Sequence, residues 1–221
     1  MKKSKPDYKK DFPHLISKLE NMIIIGAFLP KERLVEADLA QMLSVSRAWI
    51  RDALKILETK GLVKMVPYRG AMVADLSEKE VNEIFEVRLA LERLCNKLAA
   101  DNFLPEHGET LRKIALEIEQ AYKENRFDGM IEANSKFHES ISNISQNDYL
   151  KEMLKQVRSR YYICNTFAWS YPDVVNKILP EHNQFIEALE SKNYEQLDYL
   201  SESHIKYSKD LYINHLQRRK G

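Results

Sequence analysis

The feature that most constrains this chain is where glycine and proline are missing. Between Gly70 and Gly221 there are two glycines, Gly108 and Gly129, and three prolines, Pro105, Pro172 and Pro180. A sheet of any size needs frequent turns, and those residues punctuate turns, whereas long helices need few of them. The stretch is therefore expected to be all-α. Apolar spacing predicts helices at about 77–101, 106–125, 127–145, 147–168, 179–191 and 194–216. Ser77 and Glu80 form a capping-box pattern at the start of the first.

The first third reads differently. Residues 1–11 are charged and aperiodic, which predicts a flexible basic arm. Phe12, Leu15, Ile16, Leu19 and Ile23 then fall at helical spacing until Gly26 and Pro30. A second, short helix carries Leu39, Ala40 and Leu43 behind Glu36 and Asp38, acids suited to a helix N-terminus. Ser44-Val45-Ser46 breaks the pattern. Ser46 can cap a third helix, Arg47 to Lys60, buried through Ile50, Leu54 and Leu57 and ended by Gly61. Two β-prone runs around Pro67-Tyr68-Arg69-Gly70 predict a hairpin. Three helices with a tight turn before the third, followed by a hairpin, describe a winged helix-turn-helix. The expected fold is mostly α: this winged head over 12–75, then an antiparallel helical bundle over 76–221.

Charge follows the same division. The 221 residues carry 34 Lys+Arg and 33 Asp+Glu, a net charge of +1. Up to Asp75 there are 14 basic and 9 acidic residues, so that segment is +5 and the remainder −4. Such asymmetry points to a nucleic-acid or membrane partner for the basic part. The longest apolar run, Met22 to Leu29, is far short of the roughly 20 residues that span a bilayer. Met1 to Lys10 has no signal-type apolar region after it. Cys95 and Cys164 make no disulfide framework, although two cysteines could form one bridge. A cytoplasmic protein with no membrane association is expected.

On the third helix Arg47 and Arg51 lie one turn apart, where guanidinium groups pair bidentately with guanine or phosphate. Ala48, Trp49 and Lys55 belong to the same segment. Arg69 and Gly70 mark the hairpin tip, where a long cation reaches the narrower groove. Lys55, Lys64 and the N-terminal lysines suit phosphate. Each arginine alone could be a solvated surface charge; their joint placement in the basic segment favours double-stranded DNA. The pattern Gly26, Leu29-Pro30, Arg33-Leu34, Glu36, Leu39-Ala40, Leu43, Val45-Ser46-Arg47, Ile50-Arg51, Ala53-Leu54, Leu57, Gly61-Leu62-Val63, Gly70 and Val73 resembles the GntR superfamily of bacterial transcription regulators. Two positions depart from it. Lys31 stands where glycine usually follows the proline, and Ala48-Trp49 replaces the usual Thr/Pro-type pair. Trp49 either packs on a thymine methyl or sugar, or covers the interface with helix one.

In the C-terminal region Asn134 and His138 share one helical face. His182 opens a later helix after Pro180-Glu181, and His204 lies mid-way along the last. Three imidazoles and an oxygen donor on separate helices suit a borderline divalent cation such as zinc or nickel. By spacing alone a lone helical histidine is more often a surface or hydrogen-bonded core residue. Glu86-x-Arg88-x-x-x-Glu92, Asn134-x-x-x-His138, Glu181-His182 with Ile186-x-x-Leu189, and His204 resemble the FCD domain of the FadR subfamily, and six helices resemble its VanR-like branch. That resemblance implies metal at Asn134, His138, His182 and His204, with a small carboxylate effector beside it. Aspartate usually stands where this chain has Asn134, and a neutral amide oxygen leaves the full metal charge uncompensated, favouring an anionic ligand.

The resemblance makes Arg88 a candidate for holding the effector, and Arg88 equally has the spacing to pair with Glu92. Arg160 is a second candidate, one of four residues that helical phase does not separate. Arg158, Tyr161 and Thr166 are further candidates for the same cavity. His14, His107 and His215 have no partner at useful spacing. The expected function is a homodimeric regulator, a repressor by analogy with relatives, on a palindromic operator whose affinity a small organic acid controls. Rival readings are a regulator of the metal itself and a metal-dependent hydrolase. The hydrolase lacks an H-E-x-x-H pattern, because Ser142 stands where His138-Glu139 would need a second histidine. An acyl-CoA effector would want a longer, more apolar cavity.

Overall fold

The computed structural model describes residues 8–169 and 171–218. The chain divides into two compact units, Met1–Asp75 and Leu76–Gly221.

The first unit contains α1 (Tyr8–Ile24), α2 (Glu36–Leu43), α3 (Arg47–Thr59) and a two-stranded antiparallel sheet, β1 (Val63–Val66) and β2 (Gly70–Val73). The strands pair Val63 with Val73 and Val66 with Gly70. Helix α1 begins at Tyr8, so 8–11 are helical rather than part of the arm expected over 1–11, and residues 1–7 of that arm lie outside the described residues. Leu15, Leu19 and Ile23 of α1 are buried with Leu39 of α2, with Ile50, Leu54 and Leu57 of α3 and with Leu62. Ser44 adopts a left-handed conformation (φ 56°) that ends α2, and its backbone N–H reaches back to Gln41 O. Two residues later Ser46 Oγ accepts from Trp49 N at 3.2 Å and starts α3, so the turn between these helices is fixed at both ends. Lys60 caps α3, and Gly61 follows it with φ 74°, a conformation only glycine adopts without steric cost. The segment before α2 also bonds the free edge of β2, through Leu34 N to Ala71 O at 2.8 Å.

The second unit is entirely helical among the described residues: α4 (Glu78–Asp101), α5 (Pro105–Lys123), α6 (Phe127–Ile144), α7 (Asp148–Arg160), α8 (Tyr162–Trp169), α9 (Pro172–Glu190) and α10 (Tyr194–Arg218). Helix α4 packs against α6, α7, α9 and α10, and α5 against α6 and α9. The Ser77–Glu80 capping box is formed, with Glu80 N donating to Ser77 Oγ at 3.2 Å and Ser77 N to Glu80 Oε2 at 2.9 Å.

Two boundaries differ from the sequence expectation. The single helix expected over 147–168 is two, α7 and α8, separated at Tyr161. This ring is fully buried and its hydroxyl donates to Ile205 O at 3.1 Å, so a side-chain anchorage breaks the helix without glycine or proline. Helix α9 begins at Pro172, not near 179, and Pro180 lies inside it. Proline removes one backbone donor there, yet Ile178, Glu181, His182 and Phe185 are buried around it, and tertiary packing outweighs the lost bond. Among the described residues the unit therefore has seven helices, where the likeness to the VanR-like branch rested on six.

Candidate functional site

Helix α3 buries Ile50, Ala53, Leu54 and Leu57, which turns Arg47, Ala48, Arg51 and Lys55 outward. Arg47, Arg51 and Lys55 follow one another at four-residue intervals and form a single basic stripe. Arg51 is held across to α2: its Nε donates to Glu36 Oε1 at 2.9 Å and its Nη2 to Glu36 Oε2 at 2.7 Å. These bonds hold the Glu36 carboxyl below its ordinary range, and the charges of Arg51, Arg47 and Lys55 add to the effect. Lys55 lies 3.9 Å from Asp52. Trp49 is half-buried, edge-on to Phe12 of α1 with ring centroids 6.1 Å apart. Of the two readings of Trp49, this contact is the one with helix one.

At the tip between the strands, Tyr68 (φ 63°) and Arg69 are exposed, and Arg69 N donates to Val66 O at 3.0 Å to close the turn before Gly70. Lys64 is exposed, its Nζ donating to Asp75 O at 3.1 Å.

The second candidate site is buried in the helical unit. Asn134 and His138 of α6, Glu181 and His182 of α9 and His204 of α10 all have less than a tenth of their surface exposed. One ring nitrogen from each of His138, His182 and His204 lies within 4.8 Å of the others. His138 Nε2 is 3.1 Å from His204 Nε2, and His182 Nε2 is 2.9 Å from Asn134 Oδ1.

The outer partners orient the rings. His204 Nδ1 faces Glu181 Oε2 at 2.8 Å, and His182 Nδ1 faces Leu179 O at 3.3 Å. The Nε2 atoms of His182 and His204 turn inward, toward Asn134 Oδ1 and His138 Nε2. Glu181, also held by Ser203 Oγ at 2.8 Å, fixes the His204 ring as carboxylates do around metal sites. Burial first, then the neighbouring His204, Arg158, His182 and Arg88, lowers His138 well below the ordinary imidazole range; burial and His204 bring His182 down to about 3. Neutral imidazoles are the ligating form, so this donor set fits a divalent cation.

Beside the cluster lies a cation network. Arg88 is buried, with Nε donating to Glu92 Oε1 at 3.1 Å and its guanidinium 4.9 Å from the Tyr161 ring centroid. Glu92 also accepts from Arg158 Nε at 2.9 Å and Nη2 at 2.5 Å, while Arg158 Nη1 donates to His138 O at 3.1 Å and Ser142 Oγ at 3.0 Å. Burial alone would raise the Glu92 carboxyl, but Arg158 and Arg88 hold it down to about 2. Two guanidinium charges thus share one carboxylate, and Arg88 Nη1 is buried without a hydrogen-bond partner among the described residues. Arg88 lines a narrow cavity together with Asn134, His138, His204 and the α8 residues Asn165 and Trp169; it is barely wide enough for one water molecule.

The structure therefore brings Asn134, His138, His182, His204 and Arg88 together. Arg160 is not among them. It stands two residues beyond Arg158, which puts it on the opposite side of α7, about half exposed and 3.7 Å from Glu80. Thr166 does not line the cavity; Tyr161 supports it from beneath Arg88. The sequence carried no signal for Asn165 and Trp169, whose helix it merged with α7. His107 is not idle, since its Nδ1 accepts from Leu104 N at 3.0 Å, and His215 packs at a tilt of 47° on Phe167 with centroids 4.5 Å apart. No helix among the described residues is long and apolar enough to cross a membrane.

Comparison with known proteins adds the following. The model for bacterial regulatory proteins of the gntR family matches residues 14–73, and the FCD domain model matches residues 83–207. The chain is 34% identical over 195 residues to the uncharacterised HTH-type transcriptional regulator YdhC of Bacillus subtilis (strain 168), covering 86% of this chain and 87% of that protein. It is 30% identical over 181 residues to the gluconate operon transcriptional repressor of Bacillus licheniformis, covering 79% and 74%. The solved structure of E. coli McbR/YncC shares the fold with a TM-score of 0.79 at 21% identity, over 95% of this chain and 98% of that one.

Proposed function

Because this chain belongs to the GntR family of bacterial regulatory proteins, with an FCD domain following its winged helix-turn-helix, we propose that it is a ligand-controlled repressor. Two copies would present their α3 helices to a palindromic operator of double-stranded DNA, as a two-fold protein does. Arg47, Ala48 and Arg51 form the major-groove face, Lys55 meets phosphate, Trp49 braces α3 on α1, and Arg69 and Gly70 form the wing tip. Repression follows the relatives named as repressors, the gluconate operon proteins of Bacillus among them.

The second half of the reading is that a divalent cation, zinc or nickel by donor chemistry, is held by His138, His182 and His204 with Asn134 as the oxygen donor. The convergence of three buried imidazole nitrogens within 4.8 Å of one another, beside the buried Arg88 Nη1, supports this part. Once bound, the ion supplies positive charge and a coordination position for a carboxylate oxygen. Arg88 holds the other end of the anion, and Glu181 fixes the His204 ring. The cavity is too small for an organic acid as it stands, so an acid of that kind enters only with movement of its walls, α8 among them. That coupling between entry and wall movement is what lets a ligand bias the protein between states of different operator affinity.

Electrophoretic mobility shift of the full chain on genomic fragments, with and without zinc and a panel of small carboxylic acids, tests the reading. Salt-sensitive, sequence-preferring binding that an acid alters is expected. Arg47→Ala should abolish the shift, whereas His182→Ala should leave it and remove the response to acid. Loss of basal binding in His182→Ala with no loss in Arg47→Ala would overturn it.

A further inference from the structure

We propose that Glu36 is a positioning residue for sequence reading: it fixes the guanidinium of Arg51 so that one edge faces α2 and the opposite edge is presented to a guanine. The inference rests on the DNA-binding reading above and adds to it a residue on a different helix, which makes no base contact itself.

The geometry of the pair carries the argument. Arg51 has five N–H donors in a rigid plane. Glu36 takes the Nε edge, through Nε at 2.9 Å and one hydrogen of Nη2 at 2.7 Å. Both hydrogens of Nη1 and the second hydrogen of Nη2 remain. One from each nitrogen forms a parallel donor pair at the far end of the plane, matching the O6 and N7 acceptors that guanine alone shows together in the major groove. About half of the Arg51 side chain is exposed, while Glu36 is the more buried partner at 29%. The acid is thus the fixed support and the arginine the exposed tip. Glu36 is also the first residue of α2, whose position relative to α3 is set by the Ser44 and Ser46 ends of the turn. An exposed arginine without such support loses rotamer freedom when it docks; one already held loses less.

The sign of the effect separates this from the simpler alternative. A carboxylate next to a DNA-facing surface repels phosphate, and a pair that merely occupies Arg51 competes with DNA for it. On either account, removing Glu36 strengthens binding. If Glu36 positions Arg51, removing it weakens binding to the specific site and leaves or improves binding to other duplexes.

The experiment uses the full chain. A randomised double-stranded oligonucleotide library is selected on the wild type, and the selected site and an unrelated duplex of equal length are then titrated with Glu36→Ala, Glu36→Gln, Arg51→Ala and the double variant. Glu36→Ala should bind the selected site about tenfold more weakly, the scale of a bidentate base contact, with no loss on the unrelated duplex. Re-selection on Glu36→Ala should relax the preference for G at one symmetric pair of positions, the same pair that Arg51→Ala relaxes. Glu36→Gln keeps one acceptor and should fall between. In the Arg51→Ala background, Glu36→Ala should change nothing further. Retained binding to the unrelated duplex shows that the head is folded, and its loss in Glu36→Ala would make Glu36 a fold residue and overturn the proposal. Equal or tighter binding of Glu36→Ala to the selected site, with the G preference intact, would also overturn it. If the wild type selects no sequence at all, the DNA-binding reading itself fails, a result distinct from the other two.

Discussion

Asn134 shows how much one atom type decides. Replacing a carboxylate by an amide keeps an oxygen 2.9 Å from His182 Nε2 but removes its charge. Asn134→Asp should therefore tighten zinc binding by at least about tenfold, measured by competition with a chromophoric chelator, since charge adds directly to cation affinity. Acid should act in the opposite sense. His182 is held down to about 3 in the folded chain, and His138 is also depressed, while unfolded imidazole titrates near 6.5. Glu92 is held at about 2 against an unfolded value near 4.5. In both cases the unfolded chain binds more protons, so stability is complete above about pH 6.5 and falls continuously as pH drops through both windows. Glu92 alone accounts for roughly 3 kcal/mol of this. Urea midpoints of chelator-treated protein between pH 7 and 2 check it, the histidine part falling below about 6.5 and the Glu92 part between about 4.5 and 2; a midpoint that rises on acidification contradicts these burials.

At the level of elements, caps and apolar spacing were legible in the sequence, and side-chain anchorage was not. Ser46, Gly61 and the Ser77–Glu80 pair stand where the sequence reading put them, because each solves a local hydrogen-bonding problem at a helix end. Ser46→Ala should cost about 1 kcal/mol in the unfolding of the head, followed by chemical denaturation. The break between α7 and α8 had no local signal: Tyr161 is an ordinary helix residue whose role depends on Ile205 and on Arg88, both far away in sequence. Pro180 misled for the same reason, since only the packing of α9 shows that the chain tolerates it mid-helix. For the site, the histidines were legible through the family pattern, since their spacing alone equally suits surface or core residues. Arg160 and Arg158 could not be told apart without the phase of α7, and Glu36 could not be tied to Arg51 across 15 residues and a turn.

Over the whole molecule, near-neutral charge conceals a basic unit and an acidic one. Binding to a polyanion should then depend on the basic unit's exposed cations, each phosphate contact steepening the salt dependence by about 0.9 in the slope of log K against log salt. For a dimer on its operator, Lys55→Ala should reduce that slope by about 1.8 in magnitude, with little change in base preference. Titrations at three or more salt concentrations measure it, and an unchanged slope would assign Lys55 to its Asp52 contact alone.

If an acid binds in the cavity beside Arg88, the narrowness of that cavity also sets a clock. A closed pocket cannot be filled faster than it opens, so the observed rate of acid binding should level off as the acid is made more concentrated. The same closure slows escape. An acid that has entered would keep its hold after the free pool has been diluted away, and the response to it would outlast the signal.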